Sequence, residues 1–388
     1  MRVLWLASWY PNQLFPLNGD FVQRHAHAAS LFNTIDVIHL CRDEKGVVTR
    51  SVKQDLTRRG NLTERIIYYH SFTTGIKFID RIFSTIRYRK VYKEAISYYI
   101  SENGKPDLIH VHVAMNAGLM ALWIKKEWGI EYVLTEHWSG LLPEAENSFY
   151  TRSATFKRLW KKIVQQAKGL SAVSRYLGNT IKENIIKKEY VVIPNVVNTA
   201  LFKPAAKTDN NLTTFIHISR LDYQKNPEAI FKSFYLLKKK NQNFRLTIFS
   251  NETKRIKQLS SQYDLDNNIE HYVEVRQEDL VNKMQQSDAL VLFSRYETFG
   301  CVVAEANACG LPVIVSDIPT MHELVQDKVN GIFASNEKAE DLAEKLLWFI
   351  QNKNAFAGNE IASAANAQYN YQRVGQLFNS WYKEVLNQ

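Results

Sequence analysis

Cysteine is scarce in this chain of 388 residues, and long apolar runs are absent. The three cysteines, Cys41, Cys301 and Cys309, are too few and too irregularly spaced for a disulfide framework or a zinc site. We therefore expect a reducing compartment. No run approaches the roughly 18 apolar residues that cross a bilayer. The first apolar run, residues 2–8, has no small-residue cleavage site after it, which favours a first strand over a signal peptide. The expected location is the cytoplasm, with peripheral binding at the inner face of the cell membrane as the alternative.

Glycine-rich nucleotide motifs are missing too. No phosphate-binding loop ending in Lys-Ser or Lys-Thr occurs, and no G-x-G-x-x-G occurs, which weakens the case for an ATPase or a dehydrogenase. The acidic triplet DLD (264–266) resembles a metal-binding motif, but it precedes a predicted strand and is followed by two asparagines. We interpret it as a turn, and we predict no metal site and no cofactor.

Positive charge is plentiful but unevenly placed. The formal net charge is +10, and residues 1–190 hold 28 Lys and Arg against 17 Asp and Glu. The rest of the chain is therefore close to neutral. An anionic partner of the N-terminal half, namely a membrane surface, an anionic substrate or nucleic acid, would account for this excess. The alternative is an ordinary solvated basic surface.

One basic and aromatic segment, residues 78–100, could bind an anionic bilayer. Its predicted helix carries a basic cluster beside an apolar stripe. The cluster comprises Arg87, Arg89, Lys90 and Lys93, and the stripe comprises Ile79, Phe83, Ile86, Tyr92, Ala95, Ile96 and Tyr99. The alternative is a surface helix whose stripe lies in the core.

Apolar strands alternate with helical stretches along the whole chain, which predicts βαβ units and parallel sheets. Predicted strands lie at 2–8, 35–40, 107–112, 131–137, 168–174, 215–221, 244–250, 269–275, 288–294 and 311–317, and predicted helices include 21–32 and 116–128. A stretch with two prolines and a polar run, residues 193–214, is the best linker candidate. Two α/β domains are therefore predicted.

The motif SRYETFGCVVAEANACG (294–310) indicates a binding site. It joins a predicted strand, a loop and a short helix that ends at Gly310. Ligands of open α/β sheets bind at the carboxyl ends of strands. The amides of Phe299, Gly300 and Cys301 at this helix N-terminus suit a phosphate, and Gly300 permits close approach of the backbone.

Two glutamates flank that predicted phosphate site. Glu305 lies one helical turn beyond Cys301 and leans toward the helix N-terminus, while Glu297 lies in the loop above. Carboxylates accept hydrogen bonds from hydroxyls, so a phosphate between two polyols, as in a nucleotide-sugar, would satisfy the whole set. The alternative is a loop acid plus an acid stabilised by the helix dipole.

Two cations support the ligand interpretation. The segment ISRLDYQKNPEAI (218–230) places Arg220 at the end of a predicted strand and Lys225 before a helix. Both suit a diphosphate without a metal ion. Taken alone, each residue is equally consistent with an exposed surface cation.

With these motifs the chain resembles the retaining glycosyltransferases of the GT-B fold, group 4 (glycogen-synthase-like). The specific features are the Glu-x7-Glu motif ETFGCVVAE (297–305) and the Arg220 and Lys225 pair. The resemblance covers nearly the whole chain, with weaker supporting matches at 18–26, 134–140, 171–177 and 193–204. Two departures are DIPTMHE (317–323), where the family often has a glycine pair, and a first loop with one glycine, Gly19.

The resemblance implies two Rossmann-like βαβ domains facing each other across a cleft. The N-terminal domain, residues 1–195, would bind the acceptor. A C-terminal helix, about 371–388, would pack back on it. The C-terminal domain, residues 196–370, would bind a nucleotide-sugar donor.

The resemblance also implies roles for individual residues. Glu297 would contact the donor sugar, His137 would approach the transferred sugar, and both would be catalytic. Glu305 would contact the ribose. The remaining donor-binding residues would be Arg220, Lys225, Thr298, Phe299 and Gly300 at the diphosphate, Val275 at the base, and Gly19, which would let the first loop approach the donor.

The expected function is a hexosyltransferase that moves a sugar from a nucleotide-sugar to a glycan or lipid-linked glycan with retention, in cell-surface polysaccharide or glycoconjugate synthesis. A UDP-sugar is the first expectation, with GDP- and ADP-sugars as alternatives, and no nucleic-acid partner is expected. Other enzymes on this fold, an epimerase or a phosphorylase with pyridoxal phosphate, are the second hypothesis. A non-catalytic basic module for membranes or nucleic acid is the third, but it leaves the Glu-x7-Glu loop unexplained.

Overall fold

Two separate sheets organise the protein. The structure is a computed structural model that describes residues 1–71, 74–206, 212–240, 243–273 and 276–387. Each sheet is the centre of an α/β domain, and a cleft lies between the two domains. The predicted fold class, two Rossmann-like α/β domains facing across a cleft, is confirmed.

The N-terminal domain contains an eight-stranded sheet. Its strands are β1 (Arg2–Ala7), β2 (Thr34–Arg42), β3 (Val52–Arg59), β4 (Leu62–Tyr69), β5 (Leu108–His112), β6 (Tyr132–Glu136), β7 (Gly169–Ala172) and β8 (Val191–Val192). Its helices are α1 (Asp20–Ser30), α2 (Lys77–Asn103), α3 (Ala117–Trp128), α4 (Ala154–Gln166) and α5 (Arg175–Thr180). The strand order is β3-β4-β2-β1-β5-β6-β7-β8.

The C-terminal domain contains a six-stranded parallel sheet. Its strands are β9 (Thr213–Ile218), β10 (Phe244–Phe249), β11 (Ile269–Tyr272), β12 (Ala289–Leu292), β13 (Val313–Ser316) and β14 (Gly331–Ala334), in the order β11-β10-β9-β12-β13-β14. Its helices are α6 (Pro227–Lys239), α7 (Thr253–Gln262), α8 (Gln277–Gln286), α9 (Cys301–Ala308), α10 (Ala339–Asn352) and α11 (Gly358–Tyr369). The triplet at 264–266 lies in a turn before β11, as predicted.

Strand order explains where the cleft lies. In each sheet the order reverses beside the first strand of the domain, β1 or β9, so the crossover helices leave on opposite faces. Loops that follow these central strands therefore separate at the carboxyl edge, and a crevice opens there. The central strands are buried on both faces, which is why they read as unbroken apolar runs.

One pair of strands departs from the parallel pattern. Strands β3 and β4 form an antiparallel hairpin at the edge of the first sheet. The sequence of β3, VKQDLTRR, is polar and mostly exposed. A charged edge strand protects the sheet against pairing with other chains. Because β3 is polar, a search for apolar runs does not predict it.

The final helix, α12 (Tyr371–Asn387), lies on the N-terminal domain. Its apolar face packs beside Trp5 and α1. The Tyr382 hydroxyl lies 2.6 Å from Nδ1 of the buried His110, whose Nε2 lies 2.7 Å from the Thr135 hydroxyl. This polar chain joins α12 to β5 and β6, so the core of the first domain is completed by the end of the described chain.

Helix α2 divides into two halves with different surroundings. The second half lies in the core, where Tyr92, Ile96 and Tyr99 are buried. No residue in the first half is buried, and Phe78 and Ile86 are more than half exposed. Neither sequence hypothesis for the stripe at 78–100 therefore describes the whole helix. No helix in the described part of the chain is long and apolar enough to span a bilayer.

Candidate active site

A cleft of about 960 Å³ separates the carboxyl edges of the two sheets. Both domains line it. The predicted residues on its walls are Gly19, His137, Arg220, Lys225 and Thr298, joined by Trp9, Phe21 and Gln224 among others. The structure therefore brings together residues that lie up to about 280 positions apart in the chain.

Glu297 is held firmly at this edge. It is buried, and its carboxylate forms an ion pair with the ammonium group of Lys225. The Ser294 hydroxyl donates to Oε1 over 2.7 Å, and the Gln224 amide donates to Oε2 over 3.1 Å. Thr320 donates to the Glu297 backbone carbonyl over 2.6 Å. Both the carboxylate and its backbone are thus fixed before any ligand binds.

The two predicted diphosphate cations have different environments. The Lys225 side chain is largely buried beside Glu297, whereas 87% of the Arg220 side chain is exposed. Arg220 lies 3.6 Å from Asp222, a weak surface contact. Arg220 is therefore free to swing over a ligand, while Lys225 supplies charge at a fixed point.

The loop before α9 forms the third part of the site. Gly300 has φ +91°, and a Cβ at this position would lie 2.8 Å from the Met321 methyl group. Any other residue would be strained and crowded here. Within the described residues, the amides of Phe299, Gly300 and Cys301 have no hydrogen-bond acceptor. The ring of Phe299 packs against Tyr369 at 5.6 Å, so only its backbone is available to a ligand.

Glu305 has a partner that the sequence analysis did not anticipate. Arg24 of α1 donates to Glu305 Oε1 over 2.6 Å, across the boundary between the two domains. Both side chains are buried. Burial raises the pKa of Glu305, and the ion pair with Arg24 opposes that rise. The contact between Glu305 and a ribose stays a prediction. Any such ribose would bind a carboxylate that already accepts a hydrogen bond from Arg24.

His137 lies where the cleft meets the N-terminal core. Its Nε2 lies 3.2 Å from Nδ1 of His112, and its ring packs 4.8 Å from that of Phe21. Burial holds the pKa of His137 well below its usual value, and the nearby His25 and His110 lower it further. His137 is therefore a neutral imidazole, able to form hydrogen bonds with a sugar but without a positive charge.

A cluster of three histidines supplies the one potential metal-binding group found among the described residues. Ring nitrogens of His25, His112 and His137 lie within 4.8 Å of one another. Burial lowers the pKa of each, so all three have the neutral form that binds metals. His112 Nδ1 and His137 Nε2 already form a hydrogen bond with each other, and His25 Nε2 donates to the Pro194 carbonyl over 2.9 Å. The expectation of a metal-independent reaction stays a prediction.

Comparisons with known proteins place the chain in a family. Residues 199–369 match the family model described as "Glycosyl transferases group 1", and residues 46–201 match "Glycosyltransferase Family 4". The chain is a glycosyltransferase of this group. It resembles an uncharacterized glycosyltransferase of Methanocaldococcus jannaschii, with 26% identity over 79% of this chain and 86% of that protein. It also resembles the alpha-monoglucosyldiacylglycerol synthase of Streptococcus pneumoniae, with 23% identity over 70% of this chain and 63% of the synthase.

Solved structures confirm the GT-B fold. The sucrose-phosphate synthase of Thermosynechococcus elongatus superposes with a TM-score of 0.79 at 16% identity, over all of both chains. Anabaena HepE, solved in complex with UDP and glucose, superposes with a TM-score of 0.73 at 16% identity, over 99% of this chain and all of that chain. At these identities the likeness shows the architecture of the glycosyltransferase alone.

Gly19 and Val275 are the two remaining predicted donor-binding positions of the glycosyltransferase. Gly19 has φ +71°, and a Cβ there would lie 2.5 Å from the Trp9 backbone carbon. The close approach that requires glycine is therefore between two parts of the first loop, although Gly19 also lines the cleft. Val275, predicted to contact the base, lies outside the described residues.

The departure at DIPTMHE also has a structural counterpart. The Glu323 carboxylate accepts the backbone amides of Arg175 and Tyr176, each over 2.7 Å. These amides begin α5 in the opposite domain, so an acidic residue from the C-terminal domain caps a helix of the N-terminal domain. The glycosyltransferase thus has a second contact across the boundary of its domains.

Sequence reasoning missed four residues that touch the site: Arg24, His112, Gln224 and Ser294. Gln224 and Ser294 lie next to predicted residues, so proximity in the chain was an available signal. His112 is buried in β5 and reaches the site through its 3.2 Å contact with His137, which a strand pattern does not indicate. For Arg24 the available signal was its position on α1, four residues after Asp20, which predicts an ion pair on one helix face.

Proposed function

We propose that this glycosyltransferase moves a sugar from a nucleotide-sugar, with a UDP-sugar as the first expectation, to a glycan or lipid-linked glycan with retention of configuration. One observation supports this most strongly. Lys225 and Thr298 line the cleft, Lys225 pairs with Glu297, and the amides of the next three residues after Thr298 have no acceptor among the described residues. Cationic and amide donors suit a diphosphate, and an adjoining carboxylate suits sugar hydroxyls.

The donor would lie along the carboxyl edge of the second sheet. Its diphosphate would bind the amides of Phe299, Gly300 and Cys301, with Lys225 below and Arg220 closing from the surface. Its sugar would then point toward Glu297 and His137, across the cleft. The UDP and glucose bound to HepE support the choice of donor class, because that protein shares the fold.

Transfer breaks the bond between sugar and phosphate, and negative charge grows on the departing diphosphate. Lys225, Arg220 and the helix N-terminus are positioned to stabilise that charge. Neutral His137 would orient a sugar hydroxyl. Glu297 is engaged by Lys225, Ser294 and Gln224, which favours hydroxyl recognition over attack on carbon. We therefore propose same-face attack by the acceptor, assisted by the leaving phosphate.

The acceptor would bind the N-terminal domain. The exposed first half of α2 combines apolar residues such as Phe78 and Ile82 with the basic Arg87 and Arg89. Such a surface suits peripheral contact with an anionic bilayer. The pneumococcal relative, named as an alpha-monoglucosyldiacylglycerol synthase, supports an acceptor that contains a lipid. A role in cell-surface polysaccharide or glycoconjugate synthesis follows from this acceptor class.

The test is a thermal-shift panel of nucleotides and nucleotide-sugars, followed by analysis of the product's anomeric configuration. A ligand that binds only the folded state raises the melting temperature. We expect a nucleoside diphosphate and one of its sugars to give the largest shifts, and the product to keep the donor's configuration. An inverted product would refute retention. Conversion of the donor to its epimer without an acceptor would refute transfer.

A further inference from the structure

Arg24 is a buried cation that reaches from one domain to the other. It lies on α1, and its Nη1 donates to Glu305 Oε1 over 2.6 Å and to the Val196 carbonyl over 3.2 Å. Its Nη2 donates to Asp20 Oδ2 over 2.6 Å. One guanidinium thus joins α1, the segment between the domains, and α9.

Stability alone is a weak reason for such a contact. Removing two charges from water costs about as much as their attraction returns, and apolar replacements of buried ion pairs are often neutral or stabilising. The neighbouring buried positions of α1 include Val22, Ala26 and Ala28, so apolar packing is available on this helix. A buried Arg and Glu at this point therefore suggest a task beyond packing.

The geometry of Glu305 indicates what that task is. Arg24 engages Oε1, and no hydrogen bond from the described residues reaches Oε2. About 6% of the Glu305 surface remains exposed. A fixed carboxylate with one free oxygen, one helical turn from the α9 amides, matches what a ribose diol needs next to a bound diphosphate.

We propose that Arg24 is a positioning residue for the donor: it holds Glu305 so that Oε2 accepts the ribose hydroxyls. This inference rests on the proposed function of Glu305. Because Arg24 belongs to the N-terminal domain and Glu305 to the C-terminal domain, donor affinity depends on the two domains being together. The donor is then bound well only when the acceptor domain is in place.

The charges around Glu305 provide a readout for this role. Burial raises the pKa of Glu305, Asp20 of α1 raises it further, and Arg24 opposes both. The other titratable groups nearby are Cys301 and Cys309, at the two ends of α9, and Tyr371 of α12; burial raises the pKa of each, so all three are neutral at neutral pH. Without Arg24, Glu305 would keep its proton to a higher pH, and a protonated carboxyl is a poorer acceptor.

The test compares Arg24→Met, Arg24→Lys and Glu305→Gln with the wild type. We expect Arg24→Met to weaken UDP-sugar binding and raise the donor KM by about tenfold or more, with less effect on kcat. Affinity should partly recover as pH rises, as Glu305 ionises. Arg24→Lys should rescue part of the loss. The double variant Arg24→Met/Glu305→Gln should lose the recovery with pH.

Lys125→Met is the matched control, since it removes the cation of a 2.7 Å ion pair with Glu131 in the same domain, outside the cleft. It should leave the donor KM unchanged. If folded Arg24→Met has a normal donor KM and no new pH dependence while Glu305→Gln binds the donor weakly, Arg24 is merely structural and the inference is wrong. If Glu305→Gln itself binds the donor normally, the proposed role of Glu305 is wrong. Should Arg24→Met fail to fold, Arg24→Lys and the double variant still distinguish a positioning role of Arg24 from a merely structural one.

Discussion

Replacing Lys225 by methionine is expected to lower kcat/KM for the donor by about 10- to 100-fold. Methionine keeps most of the side-chain volume and removes the ammonium group beside Glu297. A hydrogen bond to a charged group is worth about 1.5–3 kcal/mol. A loss of that size in the transition state corresponds to about one to two powers of ten in rate. The nucleoside diphosphate product should also bind more weakly.

The same change leaves Glu297 without its cation. Breaking a buried pair costs about 3–5 kcal/mol when the remaining charge has no other partner. Ser294 and Gln224 still donate to this carboxylate, and the Lys225 side chain is 19% exposed, so the loss of unfolding free energy should be smaller than that. The double variant Lys225→Met/Glu297→Gln should regain stability without regaining activity.

Initial rates over a range of donor concentrations, with UDP titrations by calorimetry, measure both effects. Lys232→Met on α6 is the matched control, because its 2.6 Å pair with Glu340 lies on the exposed surface and is worth little. If Lys225→Met stayed within twofold of the wild type in both kcat/KM and UDP affinity, cation stabilisation of the leaving group would be refuted.

Three further predictions concern metal, membrane and pH. EDTA should leave the rate nearly unchanged; loss of activity that added divalent metal restores would direct attention to the three-histidine cluster. Charge reversal at Arg87, Arg89 and Lys90 should weaken salt-sensitive flotation with anionic vesicles, whereas reversal of the three basic residues on α7 should not; equal flotation of both would contradict membrane binding. Burial raises the pKa of Glu136 to about 7, so between about pH 4.5 and 7 the unfolded chain releases a proton that the folded chain keeps. The unfolding free energy should therefore fall by about 3 kcal/mol as pH rises through this range. Glu136→Gln should flatten that slope in chemical denaturation, and an unchanged slope would assign it to another group.

Local patterns predicted the elements whose environment is uniform. The central strands were found because they are apolar on both faces, and the motif at 294–310 was found because strand, loop and helix follow directly in the chain. The hairpin of β3 and β4 was missed because its edge strand is polar. For α2 the sequence left two hypotheses, a membrane-binding helix and a helix packed on the core. Periodicity identifies an apolar stripe but does not show which part of the stripe the core buries.

Contacts between distant parts of the chain were beyond local patterns. Arg24 and Glu305 are separated by 281 positions, and the sequence around either residue does not predict that the two form an ion pair. The Phe299 ring could equally have faced the cleft or the core, because its direction depends on Tyr369 of α11. Glu323 caps a helix that belongs to the other domain. The first and the last of these contacts are fixed by how the two domains meet, and the second by how α11 packs within the C-terminal domain.

Helix α12 has a consequence for how the protein is made. It covers the face of the first sheet that holds Trp5 and His110, yet the whole C-terminal domain lies between the two in the chain. At ~5–20 residues per second of synthesis, that face stays uncovered for on the order of 10–40 s after β8 leaves the ribosome. The second domain is therefore expected to fold first, although it is made later, and the first domain is open to chaperones until α12 arrives.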